Sequence, residues 1–200
     1  MLRENRVPNT IQMSLAMTAS RAPQITGIHH SAYRCRDAEE TRRFYEEVMG
    51  LSLAAALDFD EISGTDEKLD YMHLFFELGD GNYLAFFDLP DTADEKKFRR
   101  KSGFNLHFAF EVGSLAEVDA FKQRFDEFGI ENHGPLDHDF VKSVYAWDPN
   151  GYQIEVTCRV PKHDAIMAHE AEKAREIMAD WTARTLPTKA GKVTISGADG

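Results

Sequence analysis

Cysteine is almost missing from this sequence: among 200 residues only Cys35 and Cys158 occur. Neither belongs to a CxxC pair, so nothing suggests a disulfide framework or a cysteine-built zinc site, and both are expected as buried free thiols. Positive charge is also in deficit, with 23 Lys and Arg against 34 Asp and Glu and a formal charge of −11. No basic cluster offsets this, which argues against nucleic acid as a partner. Long apolar runs are lacking too: no stretch approaches the ~20 residues that span a bilayer, and the N-terminus has no uninterrupted apolar segment of the signal-peptide kind. The expectation is a cytoplasmic protein with no membrane partner.

What the chain does contain is a pattern that occurs twice. Gly27 to Cys35 is rich in strand-forming residues, and Asp37 followed by Glu40 marks a helix start. Thr41, Phe44, Tyr45, Val48 and Met49 then recur at helical spacing until Gly50 supplies a stop. Strand-like stretches follow at Leu51 to Asp60, Tyr71 to Leu78 and Tyr83 to Asp88, the last two joined by Gly79-Asp80-Gly81. The same order returns with strand Phe104 to Val112 and a capping box of Ser114 and Glu117. A stripe of Leu115, Val118, Phe121, Phe125 and Phe128 follows, ended by Gly129. Val141 to Trp147 and Tyr152 to Cys158 then form a hairpin around the Asp148-Pro149-Asn150-Gly151 turn. His30-Ser-Ala-Tyr-Arg-Cys matches His107-Phe-Ala-Phe-Glu-Val, as an internal duplication requires.

The organisation expected is an arm over 1–24, module one over 25–90, module two over 91–159, a helix over 160–185 and a flexible tail over 186–200. Met13 or Met17 are alternative starts. In the terminal helix Asp164 serves as the cap, and Met167, Ala171, Ala174, Met178 and Trp181 make a stripe that packs on this core or on a second subunit.

Strand parity gathers the chemistry. On Phe104 to Val112 the residues Leu106, Phe108 and Phe110 face one side, so His107 and Ala109 face the other. By the internal match His30 takes the equivalent place in module one. On the last strand Ile154 and Val156 face the helix, which turns Gln153, Glu155 and Thr157 the same way as His107. A lone strand histidine is usually a hydrogen-bonded core residue. Two histidines and a carboxylate sharing one face instead suit a borderline divalent ion with positions left open for a reactant.

These segments resemble the vicinal oxygen chelate superfamily, which includes glyoxalase I, fosfomycin-resistance and bleomycin-resistance proteins and extradiol ring-cleaving dioxygenases. The resemblance runs from about Ile25 to Arg159. It is carried by His29-His30, Arg43-Phe-Tyr-Glu-Glu-Val-Met-Gly50, His107-Phe-Ala-Phe and Asp148-Pro-Asn-Gly-Tyr-Gln-Ile-Glu155. It implies an α+β fold of two tandem β-α-β-β-β modules whose eight strands form a U-shaped sheet around a metal, plus a C-terminal helix. His30, His107 and Glu155 are its implied ligands. His30 is preferred to His29, which points to the other face and sits one residue early. Glyoxalase I has a fourth ligand in the other module, and that spacing lands here on Ala85, which cannot ligate.

The segment His138-x5-Val144-Tyr145-x2-Asp148-Pro149-x-Gly151-x3-Glu155 follows the extradiol dioxygenase signature, with Leu136 departing from its first position. Carried over, this makes His138 and Tyr145 the groups that handle protons beside the metal. A second departure is the absence of any histidine from Asp91 to Leu106, where two-module ring-cleaving enzymes carry one, so that the acid-base equipment is either incomplete or filled by His73 or His133. His73, His133, His163 and His169 match nothing in the pattern and are expected at the surface or in loops, and Glu77 and Glu111 as solvated or paired. The resemblance implies a homodimer and an Fe(II)-dependent dioxygenase opening a catechol-type aromatic diol with O2. The alternatives are a lyase, isomerase or thiol transferase using Mn, Ni or Zn, and a metal-free binding protein of the bleomycin-resistance kind.

Overall fold

The structure is a computed structural model that describes residues 22–193. The alternative starts Met13 and Met17, most of the expected arm and the end of the expected tail lie outside the described residues. Element order is β1 (His30–Arg34), α1 (Ala38–Arg43), β2 (Ser52–Glu61), β3 (Lys68–Glu77), β4 (Tyr83–Asp88), β5 (His107–Glu111), α2 (Leu115–Glu127), β6 (Asn132–Asp137), β7 (Val141–Trp147), β8 (Gln153–Arg159) and α3 (His163–Lys189). The α+β duplication is thus present as expected. The eight strands differ from the expected single sheet. They form two four-stranded sheets, ordered β1-β4-β3-β2 and β5-β8-β7-β6.

Both sheets share one register. β1 runs parallel to β4 with Ala32 opposite Ala85, and β5 runs parallel to β8 with Ala109 opposite Glu155. In the antiparallel neighbours Phe75 lies opposite Ala85, and Tyr145 opposite Glu155. Ala85 is therefore the module-one counterpart of Glu155, and Phe75 that of Tyr145.

Alternation along the strands sends Leu74, Phe76, Leu84 and Phe86 from one sheet, and Phe108, Val144, Ala146, Ile154 and Val156 from the other, into a single core with Tyr45, Val48, Val118 and Phe125. Each Val, Leu, Ile or Phe side chain among them that is removed from water stabilises the fold by roughly 1.5–3 kcal/mol. That burial joins the modules through their helix-covered faces and leaves both helix-free faces outward.

The caps are as read: Asp37 accepts from the Glu40 amide and Ser114 from the Glu117 amide. The first helix does not stay regular. It widens into a π turn over Phe44–Val48, with the Met49 amide donating to the Phe44 carbonyl at 3.0 Å, and this buries Phe44, Tyr45, Val48 and Met49 together. In α2 the expected apolar stripe is narrower, because Leu115 and Phe128 at its ends are exposed.

Strand β6 was not expected from the sequence, because Gly134 and Pro135 weaken the strand signal. Pro135 is tolerated since β6 is the edge of its sheet and the register slips between His133 and Leu136.

A clamp buried at the β7–β8 turn ties the modules together. Asp148 accepts from the amides of Asn150 (2.9 Å) and Tyr152 (2.7 Å) and from the Tyr45 hydroxyl (3.1 Å). Asn150 accepts from the Arg36 amide at 2.7 Å, and its side-chain amide reaches Thr41 at 3.2 Å. Gly151 is required here: its φ is +77°, and a Cβ would lie 2.5 Å from the Arg99 carbonyl oxygen. Burial pushes the Asp148 carboxyl up to about 6.

The terminal helix departs from expectation. It starts from Lys162 with no side-chain cap, leaving Asp164 in its first turn, and it runs on to Lys189. No residue of α3 is buried; Met167, Ile177, Met178 and Trp181 stay exposed, so its stripe does not cover this chain's own core. No helix among the described residues is long and apolar enough to cross a membrane. Cys35 and Cys158 are buried free thiols.

Candidate metal centre

His107 opens β5 and Glu155 lies in the middle of β8, two residue pairs further along the parallel ladder. Their side chains meet on the helix-free face, with His107 Nε2 3.3 Å from Glu155 Oε2. Each is held by a second partner. His107 Nδ1 donates to the Gly103 carbonyl oxygen at 2.7 Å, which leaves Nε2 as the ring nitrogen turned toward Glu155. The Ser143 hydroxyl donates to Glu155 Oε1 at 2.6 Å and lies 2.8 Å from the Thr157 hydroxyl. Glu155 is 7% exposed, and a carboxylate so enclosed needs compensating charge. A free imidazole nitrogen and a carboxylate oxygen, each oriented from behind, form a donor pair that fits a borderline divalent ion.

Tyr145 and His138 stand beside this pair. Strand register places Tyr145 next to Glu155, and the Tyr145 hydroxyl lies 2.8 Å from His138 Nε2. Burial, and then the Glu155 charge, hold the Tyr145 phenol above its ordinary range, so it keeps its proton at neutral pH. His107, Glu155, Tyr145 and His138 line one open cavity of about 590 Å³. His133 lines it too, from a strand rather than from the loop or surface position expected of it; its parity was hidden because β6 itself was not foreseen.

His30 is not brought to them. Its neighbours are His29, whose Nδ1 lies 2.9 Å away, and the rings of Phe75 and His73 at 5.5 and 6.2 Å. Among the described residues no group of three His, Cys, Asp or Glu side chains is placed to hold a metal ion. One chain therefore presents the His107–Glu155 pair on one sheet and His30 on the other. The physical reason lies in the core: the modules join through their helix-covered faces, and these side chains sit on the opposite faces.

His73 belongs to a strand rather than to a loop. Its ring stacks on Phe87 at 3.8 Å and 21°, and burial and then His30 lower its pKa, so it behaves as a flat neutral ring. His163 lies near Phe140, His169 near Lys173, and Glu111 pairs with Arg159, none of them near the site.

Residues 27–156 match the model of the Glyoxalase/Bleomycin resistance protein/Dioxygenase superfamily. The chain belongs to this superfamily. A lactoylglutathione lyase of Pseudomonas aeruginosa is 24% identical over 173 residues, covering 73% of this chain and 90% of the relative. Among solved structures, a glyoxylase/bleomycin resistance protein/dioxygenase domain from Frankia sp. aligns with TM-score 0.54 at 15% identity, over 68% of this chain and all of the other. The fosfomycin resistance protein FosX of Listeria monocytogenes, in complex with Mn(II) and dihydroxypropylphosphonic acid, aligns with TM-score 0.52 at 17% identity, over 71% of this chain and 99% of the other. At these identities the structural likeness speaks for the fold alone.

Proposed function

We propose that this superfamily member is a metal-dependent enzyme that holds two neighbouring oxygens of a small substrate on a divalent ion, with His107 and Glu155 of one copy and His30 of a second copy as protein ligands. The observation that carries this reading is the convergence of His107 Nε2 and Glu155 Oε2, each oriented by a partner of its own. A two-fold dimer supplies His30 twice and so completes two identical sites. The unpartnered apolar stripe of α3 supports association as well.

When bound, the ion acts as a Lewis acid on the substrate oxygens. Tyr145 and His138 keep a proton beside Glu155 and shift it between phenol and imidazole as charge changes on the substrate. Ser143 holds Glu155 in orientation. Because Ala85 occupies the place in module one equivalent to Glu155, the set stops at three protein ligands and leaves room for a bidentate substrate. Relatives named lactoylglutathione lyase support lyase, isomerase or thiol transferase chemistry with Mn, Ni or Zn, and Ala85 argues against glyoxalase I itself.

A second reading is Fe(II)-dependent extradiol cleavage of a catechol with O2. The contact of His138 with Tyr145 favours it, because that pair belongs to the dioxygenase signature. Elemental analysis of protein purified without air or chelator, followed by an oxygen-electrode assay with catechols, tests both. Stoichiometric Mn, Ni or Zn without oxygen uptake supports the first reading, and iron with oxygen uptake the second. Absence of stoichiometric metal, with ligand binding intact in His30→Ala and His107→Ala, contradicts both and indicates a metal-free binding protein.

A further inference from the structure

The helix-free face of module one is aromatic where that of module two is polar. Its rings form a continuous ladder: Phe59 stacks on Tyr71 at 5.1 Å and 30°, Tyr71 meets Phe87 at 5.8 Å, Phe87 stacks on His73, and His73 meets Phe75 at 4.2 Å. His30 stands at its end, against Phe75. All five rings are half-buried, and the core on the other side of the sheet is already filled by Leu74, Phe76, Leu84 and Phe86. The ladder is therefore not needed to fill the core. In module two the register equivalents of Phe75, His73 and Phe87 are Tyr145, Ser143 and Thr157, which serve Glu155. A wall of partly wetted rings beside a candidate ligand is costly to leave uncovered and suits a flat apolar occupant.

We infer that this ladder is the stacking wall for a planar aromatic ring on the substrate, and that Tyr71 and Phe87 set the preference for such rings. The inference rests on the two-copy metal site proposed above. There, His30 joins the partner's ligand pair, which sets the wall at one side of the chelated oxygens. The metal-facing end of the substrate is then read by His107, Glu155 and the His138–Tyr145 pair, and its ring by the ladder. The occupant is an aromatic chelator, whichever reaction follows.

Benzohydroxamate and acetohydroxamate share one chelating group and differ by a phenyl ring against a methyl group, so titrating both into metal-loaded protein isolates the wall. Benzohydroxamate is expected to bind about tenfold tighter or better. The double substitution Tyr71→Leu with Phe87→Leu keeps the wall apolar and removes its ring faces. It is expected to bring the two affinities within about twofold while acetohydroxamate affinity, metal content and oligomeric mass stay unchanged. Equal affinities in the native protein, or a preference that survives the double substitution, overturn the inference. So does dissociation of the dimer on substitution, which would make the wall a subunit interface. If neither hydroxamate binds in a metal-dependent way, the metal reading itself fails and the inference falls with it.

Discussion

Modules one and two have the same element order and the same register, yet they use the register for opposite purposes. Opposite Ala32 stands Ala85, whereas opposite Ala109 stands Glu155. Flanking strands repeat the contrast, with Phe75, His73 and Phe87 on one side and Tyr145, Ser143 and Thr157 on the other. Duplication supplied two copies of one scaffold, and the helix-free faces diverged, because no core packing constrains them. The helix-covered faces did not, since both must fill one core. The difference teaches that fold and site are written on alternate residues of the same strands.

The largest effect expected from breaking that comparison is at the paired positions themselves. Glu155→Ala is expected to lower divalent-metal affinity by about a hundredfold or more, while Ala85→Ser leaves it within about twofold, as read by calorimetric titration. Equal losses in both variants would erase the distinction between the modules.

The β7–β8 turn is the next contrast. The carboxyl of Asp148 has its pKa at about 6 against an ordinary 3.8, so the folded chain binds that proton more tightly than the unfolded chain. Its contribution to stability is complete below about pH 4 and is lost as pH rises through about 6, on the order of 3 kcal/mol in all. Comparing urea unfolding of the native protein and Asp148→Asn between pH 4 and 7 reads this as a pH-dependent gap. A constant gap contradicts the assignment. Asn150→Ala is expected to cost about 2 kcal/mol, since it removes the acceptor of the partly buried Arg36 amide and the buried contact with Thr41. Asp80→Ala in the corresponding turn of module one, whose side chain is exposed, is expected to leave the unfolding midpoint unchanged.

The smallest effect is Ser143→Ala, which leaves Glu155 in place and removes the hydroxyl that orients it. Metal affinity is expected to fall by about tenfold with the fold unchanged by circular dichroism.

Much of this was legible in the sequence, because parity and capping are local. Asp37, Ser114 and the alternation around His107 and Glu155 act within a few residues of themselves, and the structure places them as read. The features that were not legible depend on partners far away in the chain. The clamp from Asp148 and Asn150 to Tyr45, Thr41 and Arg36 joins residues over a hundred positions apart. Strand β6 was concealed by Gly134 and Pro135, which only an edge position tolerates, and with it went the placement of His133. The separation of His30 from His107 and Glu155 follows from which faces the modules join, and no local pattern records that choice.

The central claim, a metal site shared between two copies, is tested most directly by mixing two variants. His30→Ala and Glu155→Ala each lack a ligand at every site when alone. Unfolded together and refolded, they give mixed dimers in which one of the two sites has all three ligands. The two-copy account predicts that the mixture, dialysed against a mild competing chelator, recovers about one quarter of the native metal content. Metal content no higher than in either variant alone would contradict it.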